Sequence, residues 1–357
     1  MALRVATEQE RKLDVWRRKL FAGGTTPRAF RDLLPRMRED GKRSVGRLRP
    51  WAWWVEITRG CNLRCGFCAT RLFPSGEFSF MSIGTWRDLL DVVQEVSPLC
   101  RLEIGNAGEP TLHPRLPYFL REARERVPRI QLLMFTNGTT LIDGRTTYRE
   151  LFEAGLNMAF VDMYAPRERH VALAEASGYQ YIEQASKPKD AVNVFAYQGD
   201  PDVHVIQLSE QPGNWPRRKV NRGAFSTFFN HLDWEAAKEY GLAPVTDPPA
   251  RRCDLPAKFA NVYYDGSYSF CCFDFAREVA GTLGNVSEGM EGFLRFWLGR
   301  YMQDCRRRLH RKDRASHPMC RRCAFTSIRG DIPWWPGELL EDYWTGRGWE
   351  RLEEGEG

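Results

Sequence analysis

The 357-residue chain predicts an α/β fold built on parallel strands joined by crossover helices. Three observations carry that expectation. From residue 51 onward, short apolar runs alternate with amphipathic helical stretches. A capping serine and a stopping glycine bound two of those helices. The composition, 43% hydrophobic and 27% charged, is that of a globular protein long enough for two or three domains.

Taken in order, residues 9–43 read as helical and basic, broken by Gly23-Gly24 and Pro27. Residues 51–58 read as a buried strand. Ser82 is placed to cap a helix that carries Trp86, Leu89, Leu90, Val93 and Val96 on one face. Residues 101–104 form a second strand and 115–127 a second helix. Residues 131–135 form a third strand, and 148–154, stopped by Gly155, a third helix. A fourth strand at 158–163 precedes a helix at 167–176. The alternation then degrades, because strand-like 192–197 and 203–208 leave too few residues between them for a crossover helix. A break at 244–249 (PVTDPP) introduces a second, cysteine-bearing segment. These features divide the chain into a basic helical extension (1–50), a core (51–245), a cysteine-rich domain (246–330) and an acidic, Trp-rich tail (331–357).

No run approaches eighteen consecutive apolar residues and the mean hydropathy is −0.50, so no membrane span is expected. The N-terminus has no apolar signal region, which makes the cytoplasm, a reducing compartment, the expected location. Ten cysteines in such a chain point to metal ligation or catalysis rather than disulfides. The net charge of +6 is uneven: residues 1–50 carry a local +8 and residues 301–330 a local +7. The second stretch includes Arg306, Arg307, Arg308, Arg311, Lys312 and Arg314, and both could meet a polyanion such as nucleic acid. A solvated surface is the plainer alternative.

Directly after the first strand stand Cys61, Cys65 and Cys68, spaced C-x3-C-x2-C. Three thiolates so placed can hold an iron–sulfur cube and leave one iron open. Zinc, the alternative, prefers four closed ligands. With Phe67 before the third cysteine, the motif resembles that of the radical S-adenosylmethionine (SAM) superfamily. Gly108-Glu109-Pro110 after the second strand resembles the stretch with which that family binds the SAM amino group, although Ala107 replaces its first glycine. Thr136-Asn137-Gly138 and Asp162, at the ends of the third and fourth strands, resemble its other cofactor-facing positions. The resemblance covers roughly residues 51–210 and implies a partial (β/α)6 parallel barrel. It implies a SAM-binding [4Fe–4S] cluster, SAM itself, and a reductant such as flavodoxin or ferredoxin. In the second segment Cys253, Cys271, Cys320 and Cys323, with a hairpin turning at Asp265-Gly266, resemble the SPASM/twitch extension of the same superfamily. That resemblance implies one auxiliary [4Fe–4S] cluster on those four cysteines, with a zinc knuckle as the alternative. Cys100 reads as a packing residue. Cys272 alternates to the face opposite Cys271, so both cannot point at one cluster, and it reads as a core thiol or a hydrogen-atom donor. Cys305 is a reserve ligand.

The implied activity is reductive cleavage of SAM and hydrogen abstraction from a substrate, as an isomerase or an oxidoreductase. Three substrate classes stand open. The two basic segments and Trp16, Trp51, Trp53 and Trp54 put a nucleic-acid base or base adduct first, as in bacteriophage thymidine hypermodification. A ribosomal peptide and an amino sugar or aminocyclitol follow. An iron–sulfur or zinc protein that only binds nucleic acid is the non-enzymatic reading.

Overall fold

The computed structural model describes residues 50, 52–64, 68, 70, 74, 76–97, 100–106, 108–177, 248, 250–251, 253, 255–275, 277 and 279–323, and the backbone of 179–181, 193–197 and 200–210. The N-terminal extension, Cys65, Phe67 and the acidic tail therefore lie outside the described residues.

The predicted alternation is present nearly residue for residue. Strand β1 (Ala52–Val55) leads through the short β2 (Thr58–Arg59) and β3 (Ser79–Phe80) to α1 (Ile83–Val96). Ser82 caps α1 by accepting the Thr85 N–H at 3.0 Å, and the five predicted residues are buried together with Val92. Then come β4 (Arg101–Ile104), α2 (Leu116–Arg126), β5 (Gln131–Thr136), α3 (Thr139–Ile142), α4 (Tyr148–Glu153), β6 (Met158–Met163) and α5 (Arg167–Ala176). Strands β1, β4, β5 and β6 lie side by side and parallel.

Where the pattern degrades, the sheet changes hand of pairing rather than stopping. Strands β7 (Tyr179–Tyr181), β8 (Asn193–Tyr197) and β9 (Asp200–Glu210) form an antiparallel meander, and β9 also pairs parallel with β6. The cysteine-bearing segment contributes a short α6 (Leu255–Lys258) and then β10 (Phe259–Val262), which lies parallel to the free side of β1. The predicted hairpin follows: Asp265 Oδ1 accepts from the Ser267 N–H at 3.1 Å, and β11 (Tyr268–Ser269) returns antiparallel to β10. The sheet order is β11-β10-β1-β4-β5-β6-β9-β8-β7, so the described sheet is open at both edges, as a partial barrel must be.

Side chains alternate across this sheet. Trp53, Val55, Leu102, Ile104, Leu132, Met134, Ala159 and Val161 face the helices in one continuous core. Trp86 stacks on Phe119 at 4.8 Å, and Trp53 lies 5.3 Å from Phe293 of α7 (Gly289–Trp297). The residues between them, among them Trp54, Glu103, Phe135, Phe160 and Asp162, point to the opposite face.

The arginine segment departs from expectation. It begins on α8 (Arg300–His310), which buries Met302, Cys305 and Leu309. Arg306 turns inward, donating to the carbonyls of Pro256 (2.8 Å) and Trp297 (2.5 Å), with its guanidinium 4.0 Å over the Trp297 ring. Arg314 is 2% exposed and donates to the Arg251 carbonyl. Arg307 and Arg308 both pair with Asp304. A band of six cations open to a polyanion is therefore not what this segment presents. Carbonyl acceptors and a tryptophan face hold the inward guanidiniums, although one terminal nitrogen of Arg306 finds no acceptor among the described residues, and sequence spacing reveals neither contact.

Candidate active site

Parallel strands bring their C-terminal ends to one edge, and there the motif residues meet. Gly60, just before Cys61, forms a parallel bridge with Gly108, and the Glu109 N–H donates to the Gly60 carbonyl at 3.0 Å. The approach is so close that a Cβ on Gly108 would lie 1.9 Å from the Thr58 carbonyl oxygen. Only glycine fits, and the cysteine loop is thereby pinned to the start of the Glu109 turn.

Glu109 is 2% exposed. Its Oε1 accepts from the Thr111 N–H (3.0 Å), the Thr111 hydroxyl (2.6 Å) and the Thr136 hydroxyl (2.7 Å); its Oε2 accepts from the Asn137 N–H (2.7 Å). Asn137 is thus a junction. Its side-chain amide donates to Cys61 Sγ at 3.4 Å and to Asn62 Oδ1 at 3.0 Å, while its Oδ1 accepts from the Thr139 N–H and hydroxyl. The Leu63 N–H also donates to Cys61 Sγ, at 3.4 Å. Burial pushes the Cys61 thiol up to about 12, aided by the charges of Glu109 and Cys68 and opposed by those two donors. Cys68 accepts from the Thr70 hydroxyl at 3.2 Å.

Burial raises Glu109 above the usual carboxylate range despite its donors. It raises Asp162, at the end of β6, to about 7, with the charge of Glu109 adding to the effect. Among the described residues neither carboxylate forms an ion pair with Lys or Arg. Two carboxylates and a thiol that resist ionising together make a pocket complementary to a cation. SAM carries that charge on its ammonium and sulfonium groups.

The second cysteine set also converges. Cys253 is pushed up to about 12 by burial and then by Cys271, with Cys323 adding and Arg314 opposing. Burial raises Cys320 further still, followed by Cys271, Cys253 and Cys323. Cys271 and Cys323 thus stand close enough to act on both Cys253 and Cys320, and four thiols so gathered fit a metal group, which would take them as thiolates. Among the described residues no three His, Cys, Asp or Glu side chains close around a point as a single ion requires, and a cube is wider than an ion. The buried Arg314 guanidinium stands near enough to offset anionic charge there. Strand β11 ends at Ser269, so strand alternation does not separate Cys271 from Cys272. Both thiols are buried, and burial followed by the neighbouring Cys271 pushes the Cys272 thiol well above its ordinary value. Cys305 is buried beside Tyr301, and its charge is felt at Cys320. Cys100 is fully buried in the core, as expected of a packing residue.

Of the sequence-predicted site residues, Cys61, Gly108, Glu109, Pro110, Asn137 and Asp162 are thus gathered at one end of the sheet. Sequence reasoning missed Thr111, Asn62 and Asn106. Thr111, two residues past Glu109, and Thr136, the first residue of its own motif, supply three of the four donors on Glu109. Asn106 is held at φ +89, a left-handed position that no motif announced, and its side-chain N–H is buried with no partner among the described residues.

Comparison with known proteins decides the family. Residues 55–204 match the model of the Radical SAM superfamily, and residues 253–324 match that of the SPASM iron–sulfur cluster-binding domain. The chain carries a radical SAM domain followed by a SPASM domain. Its two matched domains bring with them SAM, the [4Fe–4S] cluster that binds it and auxiliary iron–sulfur ligation. This radical SAM chain is 34% identical over 217 residues to the tungsten-containing aldehyde ferredoxin oxidoreductase cofactor-modifying protein of Pyrococcus furiosus; the match spans 60% of this chain and only 55% of that relative. It is 20% identical over 278 residues to the SAM-dependent 2-deoxy-scyllo-inosamine dehydrogenase of Niallia circulans, covering 77% of this chain and 93% of the relative. Among solved structures, BtrN in complex with AdoMet and 2-DOIA aligns with a TM-score of 0.55 at 20% identity, over 78% of this chain and 94% of that one, which shows a shared fold. Among the described residues no helix is long and apolar enough to cross a membrane.

Proposed function

We propose that the protein cleaves SAM reductively and uses the resulting radical to abstract hydrogen from a small polar substrate, in an oxidation or an isomerisation. Cys61, Cys65 and Cys68 hold the SAM-binding [4Fe–4S] cluster. Cys253, Cys271, Cys320 and Cys323 hold one auxiliary cluster. The observation that carries the reading is Asn137, whose backbone N–H holds Glu109 while its side chain reaches Cys61, so the cysteine loop and the carboxylate pocket are one structure. When bound, a reduced cluster with an open iron supplies one-electron cleavage of SAM. The chain's own part is to bind and orient. Glu109 and Asp162 favour a cation, Asn137 and the Leu63 N–H donate to the Cys61 sulfur, and the buried walls exclude water. A flavodoxin-like or ferredoxin reductant supplies the electron. The nucleic-acid base reading loses its main support in the 301–330 segment, where Arg306 and Arg314 point inward. A small substrate is therefore the first reading.

The test is anaerobic reconstitution. Two [4Fe–4S] clusters require about eight irons per chain. Changing Cys61, Cys65 and Cys68 together to Ala should remove about four of them and abolish formation of 5′-deoxyadenosine. Zinc as the bound metal, or intact SAM after reduction, would overturn the assignment.

A further inference from the structure

The face of the sheet opposite the helices carries a polar row in its interior that the SAM pocket does not use. Backbone register sets Ser269, Asn261, Trp54 and Glu103 side by side on β11, β10, β1 and β4. Beyond them the row becomes apolar at Leu133 and Met158. Glu103 is 2% exposed and forms a buried ion pair with Arg101, one pleat below on the same strand. The Ser269 hydroxyl is satisfied by Asp274 at 2.8 Å.

The two central members are not satisfied. Asn261 is 1% exposed, and among the described residues its Oδ1 has no hydrogen-bond partner; the Trp54 indole N–H is buried and also finds none among them. An acceptor and a donor on adjacent strands, in register, fail to pair with each other although each is costly to leave empty. Around them stand aromatic rings: Phe259 lies 5.8 Å and Phe135 6.4 Å from the Trp54 ring, and Phe160 stacks on Phe135 at 4.8 Å. Trp54 and Phe135 keep part of their surface exposed, so this face is not packed shut by its described neighbours.

We infer that Asn261 and Trp54 form a substrate subsite for a ring hydroxyl. A hydroxyl is the smallest group that accepts from the indole N–H and donates to the amide oxygen at once. Its ring would lie against the aromatic faces, as apolar C–H surfaces do. The adjacent carboxylate is already neutralised by Arg101, so the spot favours a neutral hydroxyl over an ammonium group. The class of ligand is therefore a small cyclic polyol, with any amino group placed away from this row. This rests on the SAM-dependent reading above and narrows its substrate.

Calorimetric titration of the reconstituted, SAM-loaded protein with myo-inositol and with glucosamine tests the subsite. Binding of at least one probe is expected, weakened about tenfold or more by Asn261→Leu and, separately, by the gentler Trp54→Phe, with iron content and SAM affinity unchanged. Because one hydroxyl bridges both groups, the double variant should lose little more than either single variant. Failure of both probes to bind, variants that bind as well as the parent, or losses that simply add would overturn the subsite. If SAM is still cleaved in those cases, only the subsite falls; absence of cleavage in the parent protein would instead remove the reading on which it rests.

Discussion

Glu109 and Asp162 show how a residue's charge is set by its surroundings. Each is a carboxyl group placed where ionising is costly, and the charge of Glu109 adds to the cost at Asp162. For Asp162 the sign follows directly. Its value in the folded protein, about 7, lies above its ordinary value of 3.8, so the folded state keeps a proton that the unfolded chain has released. Stability from this group is present below about pH 4 and is lost as pH rises toward 7. Thermal melting of the SAM-free protein should fall across that window, and Asp162→Asn should flatten the slope. An unchanged slope in the variant would show that Asp162 keeps an ordinary value. The position of Asp162 at a strand end was legible in the sequence, as was Glu109 after a glycine. The network that holds Glu109 was legible only in part: Thr136 stands in the motif that ends β5, whereas Thr111 carries no chemistry of its own and matters only through the turn that follows Glu109.

At the scale of elements, the bridge between Gly60 and Gly108 does more than any single side chain to build the site. Gly108→Ala should force the 58–60 backbone away from the Glu109 turn, since a Cβ 1.9 Å from a carbonyl oxygen cannot be accommodated by rotating a side chain. SAM affinity should drop at least tenfold and iron retention at Cys61 and Cys68 should suffer, while the second cluster survives. Normal SAM binding in that variant would mean that the two loops are independent. The α1 helix was legible because its cap and its apolar stripe are local facts. The β7–β9 meander was legible only as strands, since antiparallel return and parallel crossover differ in partners rather than in composition. The arginines around α8 were misjudged for a related reason: helix periodicity does not say that Trp297 and the Pro256 carbonyl wait beside Arg306.

For the whole molecule, the pairing of β1 with β10 matters most. The cysteine-bearing segment does not sit apart from the strands that carry Cys61 and Glu109. Its first strand extends their sheet, and its helix α7 packs on Trp53. The described parts should therefore unfold together, and a chain truncated before Cys253 should fail to retain even the SAM-binding cluster. A truncated chain that reconstitutes about four irons and binds SAM would show that the earlier strands fold alone. No local pattern announced this pairing, because its two partners stand at opposite ends of the described chain. That distance also has a meaning during synthesis. When β1 leaves the ribosome, the strand that will cover its outer edge has yet to be made, and about 200 residues at about 5–20 per second separate the two. For about 10–40 seconds a strand that is central in the finished sheet has an open edge, rich in tryptophan. A cell that makes this enzyme has to shield the nascent chain through that interval before either cluster can be installed.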